Sequence, residues 1–97
     1  MKIIDVEYPG TLAVEILGVT LPVPNDTEYM AIDSDGELWA YPFRPMLSPG
    51  FVWVWQAAVG QHIADVDLED ADMLDTLFTV VDGKALKSPV ADEDIIK

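Results

Sequence analysis

The residues best suited to chemistry begin with a short acidic turn, residues 33–37 (DSDGE). Alternating carboxylates beside a glycine are typical of calcium loops, and an EF-hand has this glycine sixth and a glutamate twelfth. With Gly36 as the sixth residue, Ala31 is first and Pro42 is twelfth, so the EF-hand pattern fails at both ends. Asp-Gly also favours a tight β-hairpin turn, and we interpret the segment as such a turn while leaving a different kind of cation site open.

His62 is the only histidine, and the chain has no cysteine. A general base needs an orienting acid and a nucleophile nearby; Asp65 follows three residues later, but no nucleophile motif surrounds the pair. Carboxylate pairs of the kind that hydrolyse glycosides carry no signal in a chain with 18 acids. The sequence therefore predicts a protein that is not an enzyme and uses no cofactor or resident metal, and the lack of cysteine favours a reducing cytosolic setting.

Acidic residues are concentrated after position 64, with six carboxylates within eleven residues: Asp65, Asp67, Glu69, Asp70, Asp72 and Asp75. No lysine or arginine occurs between Arg44 and Lys84, and the chain carries a formal charge of −13. A negative surface attracts basic proteins and repels polyanions. We therefore predict that these six residues bind a basic protein partner, and we exclude direct contact with nucleic acid or an anionic membrane. A solvated face that only aids solubility is the alternative interpretation.

The aromatic residues are the other group that could bind a ligand, and five of them are Trp39, Tyr41, Phe43, Trp53 and Trp55. Bases and sugars stack on such rings, but a base-stacking surface also needs interleaved cations, and Arg44 is the only cation nearby. We therefore assign the aromatic residues to the core, while an exposed one could anchor a protein interface.

Short β-strands must position these residues, because glycines and prolines punctuate the chain and short apolar runs lie between them. We predict strands at residues 2–7 and 12–20, the second with a bulge at Gly18, and a hairpin that pairs residues 29–32 with 38–41. Residues 42–50 contain three prolines and are predicted to form an irregular loop. Residues 51–55 are apolar on both faces of the next predicted strand, which indicates a central or covered strand.

The spacing of apolar residues changes after position 67, where they recur every three or four residues: Leu68, Ala71, Leu74, Leu77, Phe78 and Val81. This period predicts one amphipathic helix over residues 68–81, with Asp65 or Asp67 as its N-cap and Asp82-Gly83 at its end. The predicted fold class is α+β, an antiparallel sheet of four to five strands with this helix packed on one face. We predict one globular domain over residues 1–87 and a flexible acidic tail over residues 88–97.

Residues 29–41, followed by Arg44-Pro45 and by Trp53 and Trp55, resemble a pattern in small uncharacterised proteins of bacteriophages and prophages. The resemblance implies a bacteriophage origin, and with it a location in the cytoplasm of the bacterial host. Small acidic proteins of phages are often inhibitors of host defence or host transcription, and they include anti-CRISPR and DNA-mimic proteins.

Three hypotheses about function follow. The leading one is a non-enzymatic inhibitor whose acids imitate a nucleic acid and bind a basic, nucleic-acid-binding host protein or defence complex. The alternative is a phage structural or assembly module that forms a homo-oligomer through residues 51–55. A third is a domain that binds a small ligand or a metal through residues 33–37.

Overall fold

The computed structural model describes residues 1–10 and 12–97, and β-strands form its whole framework. The ten strands are β1 (Lys2–Val6), β2 (Leu12–Ile16), β3 (Val19–Val23), β4 (Tyr29–Ile32), β5 (Glu37–Tyr41), β6 (Met46–Ser48), β7 (Val54–Gln56), β8 (Gln61–Asp67), β9 (Leu77–Val81) and β10 (Lys84–Lys87). Two short 3₁₀ turns lie at Met73–Asp75 and Asp92–Asp94. Within residues 1–10 and 12–97 there is no α-helix, and so no helix there that could cross a membrane.

Eight of the strands form one sheet in the order β1-β8-β5-β4-β9-β10-β2-β3, and β6 pairs with β7 in a second, two-stranded sheet. Neighbouring strands of the large sheet are antiparallel, apart from the parallel pair β10 and β2. β3 at one edge also contacts β8, which is next to the other edge, so the sheet curls back toward itself.

The large sheet is buried on both of its faces near its middle. One core cluster includes Met30, Leu38 and Phe78, and a second, under the small sheet, includes Ala31 and Leu77. Since successive side chains of a strand point to opposite faces, β4 and β9 each contribute to both clusters. This two-sided burial fixes the register of the central strands, because a slip of one residue would exchange the two sets of core residues.

The predicted α+β class and the predicted helix over residues 68–81 are both wrong. The segment makes a turn at Leu68, then the 3₁₀ turn, and then β9. Leu77 and Phe78 are consecutive and both buried, on opposite faces, which a helix with one apolar stripe does not allow. The β-branched run Thr79-Val80-Val81 favours a strand. Neither the spacing of the apolar residues nor their number distinguishes a strand from a helix in this segment.

Asp82 and Gly83 do not end a helix but connect β9 to β10 in a two-residue hairpin turn. Both have positive φ, 50° and 77°, which is the backbone shape that matches the twist of a tight hairpin. Leu17 and Gly18, with φ of 51° and 80°, make the same kind of turn between β2 and β3. The predicted single strand over residues 12–20 is therefore a hairpin rather than a bulged strand.

The predicted hairpin of residues 29–41 is confirmed, since β4 and β5 pair antiparallel from Tyr29↔Tyr41 to Ile32↔Leu38. The interpretation of residues 51–55 as a central strand is wrong, because Phe51 is fully exposed and β7 begins only at Val54. The predicted irregular loop contains β6, which pairs with β7.

Residues 88–97 lie against the small sheet and are held there by Arg44. The Arg44 guanidinium contacts both carboxylate oxygens of Asp94, at 2.7 Å and 2.8 Å, and donates to the Pro89 carbonyl at 3.0 Å. Ile96 donates its N–H to the Leu47 carbonyl at 2.8 Å. The division of the chain into a domain (residues 1–87) and a flexible tail (residues 88–97) stays a prediction, and the Arg44 contacts give it a direct test.

Candidate functional site

The pairing of β8 with its two neighbours brings together acids that are far apart in sequence. Asp65 of β8 lies directly opposite Asp5 of β1 on one side and Glu37 of β5 on the other. Residues opposite each other in a β-ladder extend from the same face of the sheet, so three carboxylates form a line across three strands. We call Asp5, Asp65 and Glu37 the acidic row.

More acids extend the acidic row into a larger acidic surface, which we define as the row together with Glu7, Asp33, Asp35, Asp67 and Glu69. Oxygens of Asp5, Glu7 and Asp65 all lie within 4.8 Å of one another, and the same holds for Asp33, Asp35 and Glu37. Asp35, Asp67 and Glu69 border one groove. Among the described residues, the basic groups next to this surface are Lys2 opposite Asp67, the Met1 amino group 3.6 Å from Glu69, and His62.

The turn of residues 33–37 reaches the acidic row because its backbone packs tightly on β8. The Val66 N–H donates to the Gly36 carbonyl at 2.7 Å, and Gly36 has a φ of 87°. A Cβ at position 36 would lie 2.4 Å from the Val66 carbonyl oxygen, so only glycine allows this approach. The glycine therefore sets the position of the acids on either side of it.

Asp33 links the turn to the small sheet. Its Oδ1 accepts the Trp55 backbone N–H at 2.7 Å. Burial raises the pKa of Asp33 to about 6, an effect that the Trp55 hydrogen bond opposes and that the charges of Asp35 and Glu37 increase. The carboxylate is thus kept in a position where its charge is disfavoured, even though a neutral amide could accept the same hydrogen bond.

The acids of β1 also influence one another. The pKa of Glu7 is raised, first by the hydrogen bond and the charge of Asp5 and also by the charge of Asp65, while His62 lowers it. A raised pKa on an exposed strand indicates that like charges are crowded there. The charges of Asp5 and Asp65 therefore both act on Glu7.

His62 and Trp39 pack over the acidic row. The His62 Nε2 atom lies 3.1 Å from Asp65 Oδ1, and the two rings are 5.6 Å apart. The Trp39 indole N–H donates to Glu37 Oε1 at 3.1 Å. These contacts orient Asp65 and Glu37, and none of these groups is a nucleophile of the kind that a histidine activates.

Either group of three carboxylates would need backbone carbonyls or water to complete a calcium site. Ca²⁺ takes six to eight oxygen ligands, and each group supplies three side chains. In the turn, Asp33 Oδ1 and Glu37 Oε1 already accept the hydrogen bonds from Trp55 and Trp39. The acidic surface is better suited to attract several positive charges at spaced positions.

The structure separates the six acids predicted to bind a partner, because the helix that would have aligned them does not exist. Asp65, Asp67 and Glu69 belong to the acidic surface, and Asp70 is exposed in the turn that follows it. Asp72 instead accepts the Leu74 N–H at 3.0 Å as the cap of a 3₁₀ turn, and Asp75 forms an ion pair with Lys87.

Five acids of the surface are not among the six predicted to bind a partner: Asp5 and Glu7, together with Asp33, Asp35 and Glu37 of the turn at which a cation site was left open. Their signal was a spacing of two, in Asp5 and Glu7 and in residues 33–37, which places acids on one face of an extended chain. The same spacing in Asp65 and Asp67 indicated a strand there. What the sequence did not show was the strand order that makes these acids neighbours.

No protein family, curated protein sequence or solved structure matches this chain.

Proposed function

We propose that this protein binds a basic, nucleic-acid-binding protein through the acidic surface and inhibits it by occupying the site of the nucleic acid. The observation that carries the proposal is the acidic row, in which Asp5 and Glu37 both face Asp65 across the strand pairs. Like charges directly opposite each other destabilise a sheet. Arginine and lysine side chains of a partner would relieve that repulsion, which gives the complex a favourable electrostatic term.

Solubility alone does not account for this arrangement. A chain with a formal charge of −13 has ample charge for solubility wherever its acids lie. Nothing about solubility favours placing carboxylates opposite one another, since dispersed acids would serve equally well without the repulsion. A binding surface, in contrast, needs charge to be concentrated.

The spacing of the acids suits a partner that recognises a polyanion. Neighbouring strands are about 5 Å apart, and alternate residues of one strand are about 7 Å apart. The acidic surface is therefore a grid of negative charges at separations that a cluster of arginine and lysine side chains can meet together. Association with such a surface is fast and weakens as salt is added.

The inhibitory role and the setting in a bacterial host come from the resemblance of residues 29–41 to small phage and prophage proteins. A phage protein that blocks a host defence or transcription complex would act in the host cytoplasm. Competition with nucleic acid is the simplest inhibitory mechanism for an acidic surface, because a partner of this kind already has a cationic groove.

The experiment compares two variants with the same change in net charge. The surface variant carries Asp5→Asn, Glu7→Gln, Asp65→Asn, Asp67→Asn and Glu69→Gln. The control variant carries Glu15→Gln, Asp26→Asn, Glu28→Gln, Asp82→Asn and Glu93→Gln, all of them exposed acids outside the acidic surface. Each protein is immobilised and exposed to bacterial lysate, with and without added duplex DNA and over a range of salt.

We expect the wild type and the control variant to retain the same nucleic-acid-binding protein, which DNA and salt both displace. The surface variant should retain it at least about tenfold more weakly, since several charge contacts of about 0.5 kcal/mol each are lost. Equal retention by the two variants would show that net charge alone attracts the partner, and the proposal would be wrong. Retention that DNA does not affect would exclude competition with nucleic acid.

A second candidate function is assembly through residues 51–55, and the exposure of Phe51 favours it. Phe51 is fully exposed and is followed by Val52, which is 67% exposed. Exposed aromatic residues often anchor protein interfaces. Light scattering separates the two functions, because a symmetric oligomer that is insensitive to salt and dissociates on Phe51→Ser would support assembly.

A further inference from the structure

A shallow groove of about 480 Å³ opens beside the acidic row, between β1, the turn of residues 33–37 and the segment after β8. Its lining combines apolar and acidic side chains. The apolar lining includes Ile4, Trp53 and Leu68, and the acids at the groove are Asp35, Asp67 and Glu69. Its volume falls in the range of small-ligand sites.

Trp53 provides a fixed aromatic wall. Its indole N–H donates to the Ile32 carbonyl at 3.0 Å, and its own backbone carbonyl accepts the Ser34 N–H at 3.0 Å. The polar atom of the ring is thus turned toward the protein. The aromatic surface that remains in the groove can take an apolar or cationic group.

Two of the three acids at the groove are held in place by hydrogen bonds, and the third, Glu69, lies 3.6 Å from the Met1 amino group. Asp35 Oδ1 accepts the Glu37 N–H at 3.1 Å, and Asp67 Oδ1 accepts the Glu69 N–H at 2.9 Å. Each carboxylate therefore has one oxygen anchored in a local turn, and its second oxygen is the atom that a ligand would meet. Prior anchoring lowers the entropy lost when a ligand binds.

We propose that this groove binds an arginine side chain from a basic peptide segment of the partner protein, an inference that rests on the proposed function. The guanidinium would lie flat against Trp53 and donate to Asp35, Asp67 or Glu69, while its methylene stem contacts Leu68. Arginine fits better than lysine because its planar group stacks on a ring and donates in several directions at once. The apolar wall and the acidic rim of the groove together fit an arginine side chain.

The test uses three blocked hexapeptides of alternating glycine and a second residue, which is arginine, lysine or citrulline. Citrulline keeps the shape of arginine but lacks the charge. Binding is followed by the indole N–H resonances of Trp39, Trp53 and Trp55 in ¹⁵N-labelled protein, assigned by single Trp→Phe variants. A groove variant (Asp35→Asn, Asp67→Asn, Glu69→Gln) is compared with a control variant of equal charge change (Asp26→Asn, Glu28→Gln, Asp82→Asn).

We expect the arginine peptide to shift the Trp53 resonance saturably and to leave that of Trp55, which is buried, in place. The lysine peptide should bind about threefold more weakly and the citrulline peptide at least about tenfold more weakly, because stacking and then charge are lost. The groove variant should lose at least about fivefold in affinity for the arginine peptide, with the control variant unchanged. The substituted amides keep the Oδ1 acceptors of the turns, so the groove variant should fold.

Three results would overturn the inference in distinguishable ways. The arginine peptide could bind in a salt-dependent way and shift the backbone amide resonances of Asp5 and Asp65, but not the indole resonance of Trp53. In that case the groove is not the arginine site, and the proposed function remains. If the arginine and lysine peptides bind with equal affinity, the groove recognises charge alone, and the proposed stacking of the guanidinium on Trp53 is wrong. If no cationic peptide binds at all, the inference and the proposed function both fail.

Discussion

Asp94 and Asp65 are two carboxylates of one chain with opposite surroundings. Asp94 is 5% exposed, is held by two bonds from Arg44, and accepts the Ala91 N–H at 2.9 Å. Asp65 faces Asp5 and Glu37 across its strand pairs, and the His62 ring nitrogen Nε2 lies 3.1 Å from its Oδ1. The donors around Asp94 stabilise the fold, whereas the like charges opposite Asp65 oppose it.

The acidic row is kept together because the residues on the opposite face of each strand are buried in the core and fix the register. Ala64 and Val66 flank Asp65 and are buried, as is Leu38 next to Glu37. A shift of register that separated the carboxylates would expose these apolar residues, and burying a side chain of the size of Val66 or Leu38 is worth about 1.5–3 kcal/mol. The repulsion within the acidic row is smaller than that, so the core determines the register.

The largest effect is expected from removing the partner of Asp94. Arg44→Met should lower the free energy of unfolding by about 3 kcal/mol, because it leaves a buried carboxylate without its cation. Urea unfolding measures the loss, with Lys84→Met as the control, since Lys84 is exposed. A loss below about 1 kcal/mol would show that the contrast between the two carboxylates has no energetic basis.

The same variant tests the sign of the pH dependence and the order of residues 88–97. Arg44 lowers the pKa of Asp94. The stabilisation from this pair is therefore complete above the usual carboxyl range near pH 4 and is lost as the pH falls through the lowered pKa. The difference between wild type and Arg44→Met should shrink in acid. Hydrogen exchange at residues 88–97 should become faster in the variant, and equally fast exchange in both would favour a flexible tail.

The sequence was sufficient for elements whose signal is local. Alternation and the Asp-Gly turn chemistry located the hairpin of residues 29–41, and the count of acids gave the charge. It failed at β9, because a strand buried on both faces has apolar neighbours at several spacings, including those of a helix. The assignment of aromatic residues to the core is confirmed for Tyr41 and Trp55, which are buried, and is wrong for Phe43, which is exposed. The exposure of Phe51 likewise depends on tertiary contacts that no local pattern encodes.

The candidate site was less predictable than the fold, because it consists of residue pairs between strands that are far apart in the sequence. Asp5 and Asp65 are 60 positions apart and become neighbours only through the order β1-β8-β5. Single-sequence reasoning gives the face on which a residue lies but not the strand beside it. Arg44 likewise lay in a predicted loop, and nothing in its sequence surroundings pointed to Asp94.

An intermediate effect is expected at Asp33, whose surroundings are intermediate between those of Asp94 and Asp65. Asp33→Asn should raise the free energy of unfolding at pH 8 by about 1 kcal/mol, after allowance for its partial exposure. The amide keeps the acceptor for the Trp55 N–H and removes a charge that burial disfavours. Because the pKa of Asp33 is raised to about 6, the folded wild type binds its proton more tightly than the unfolded chain does.

This raised pKa makes the wild type lose stability as the pH rises from about 4 to about 6, and Asp33→Asn should remove that part of the profile. Thermal unfolding at several pH values between 4 and 8 measures it, with Asp26→Asn as an exposed control. Parallel profiles for wild type and Asp33→Asn would show that burial does not disfavour this charge.

The smallest effect is expected within the acidic row itself, from Asp5→Asn. It should raise the free energy of unfolding by about 0.5 kcal/mol at low salt, because Asp65 loses a like charge directly opposite it. The gain should fall toward zero in high salt, where exposed charges are screened. Glu15→Gln is the matched control: Glu15 lies opposite Lys84 and not opposite an acid, so removing its charge should leave stability unchanged or slightly lower.

A titration of Glu7 gives the same test a readout that packing changes do not mimic. Asp5 is the first cause of the raised pKa of Glu7, and Asp65 contributes less. The side-chain carboxyl ¹³C shift should therefore show the pKa of Glu7 falling toward its usual value in Asp5→Asn, and falling less in Asp65→Asn. If both variants leave the titration of Glu7 unchanged, the carboxylates do not act on one another, and the repulsion that a basic partner would relieve is absent.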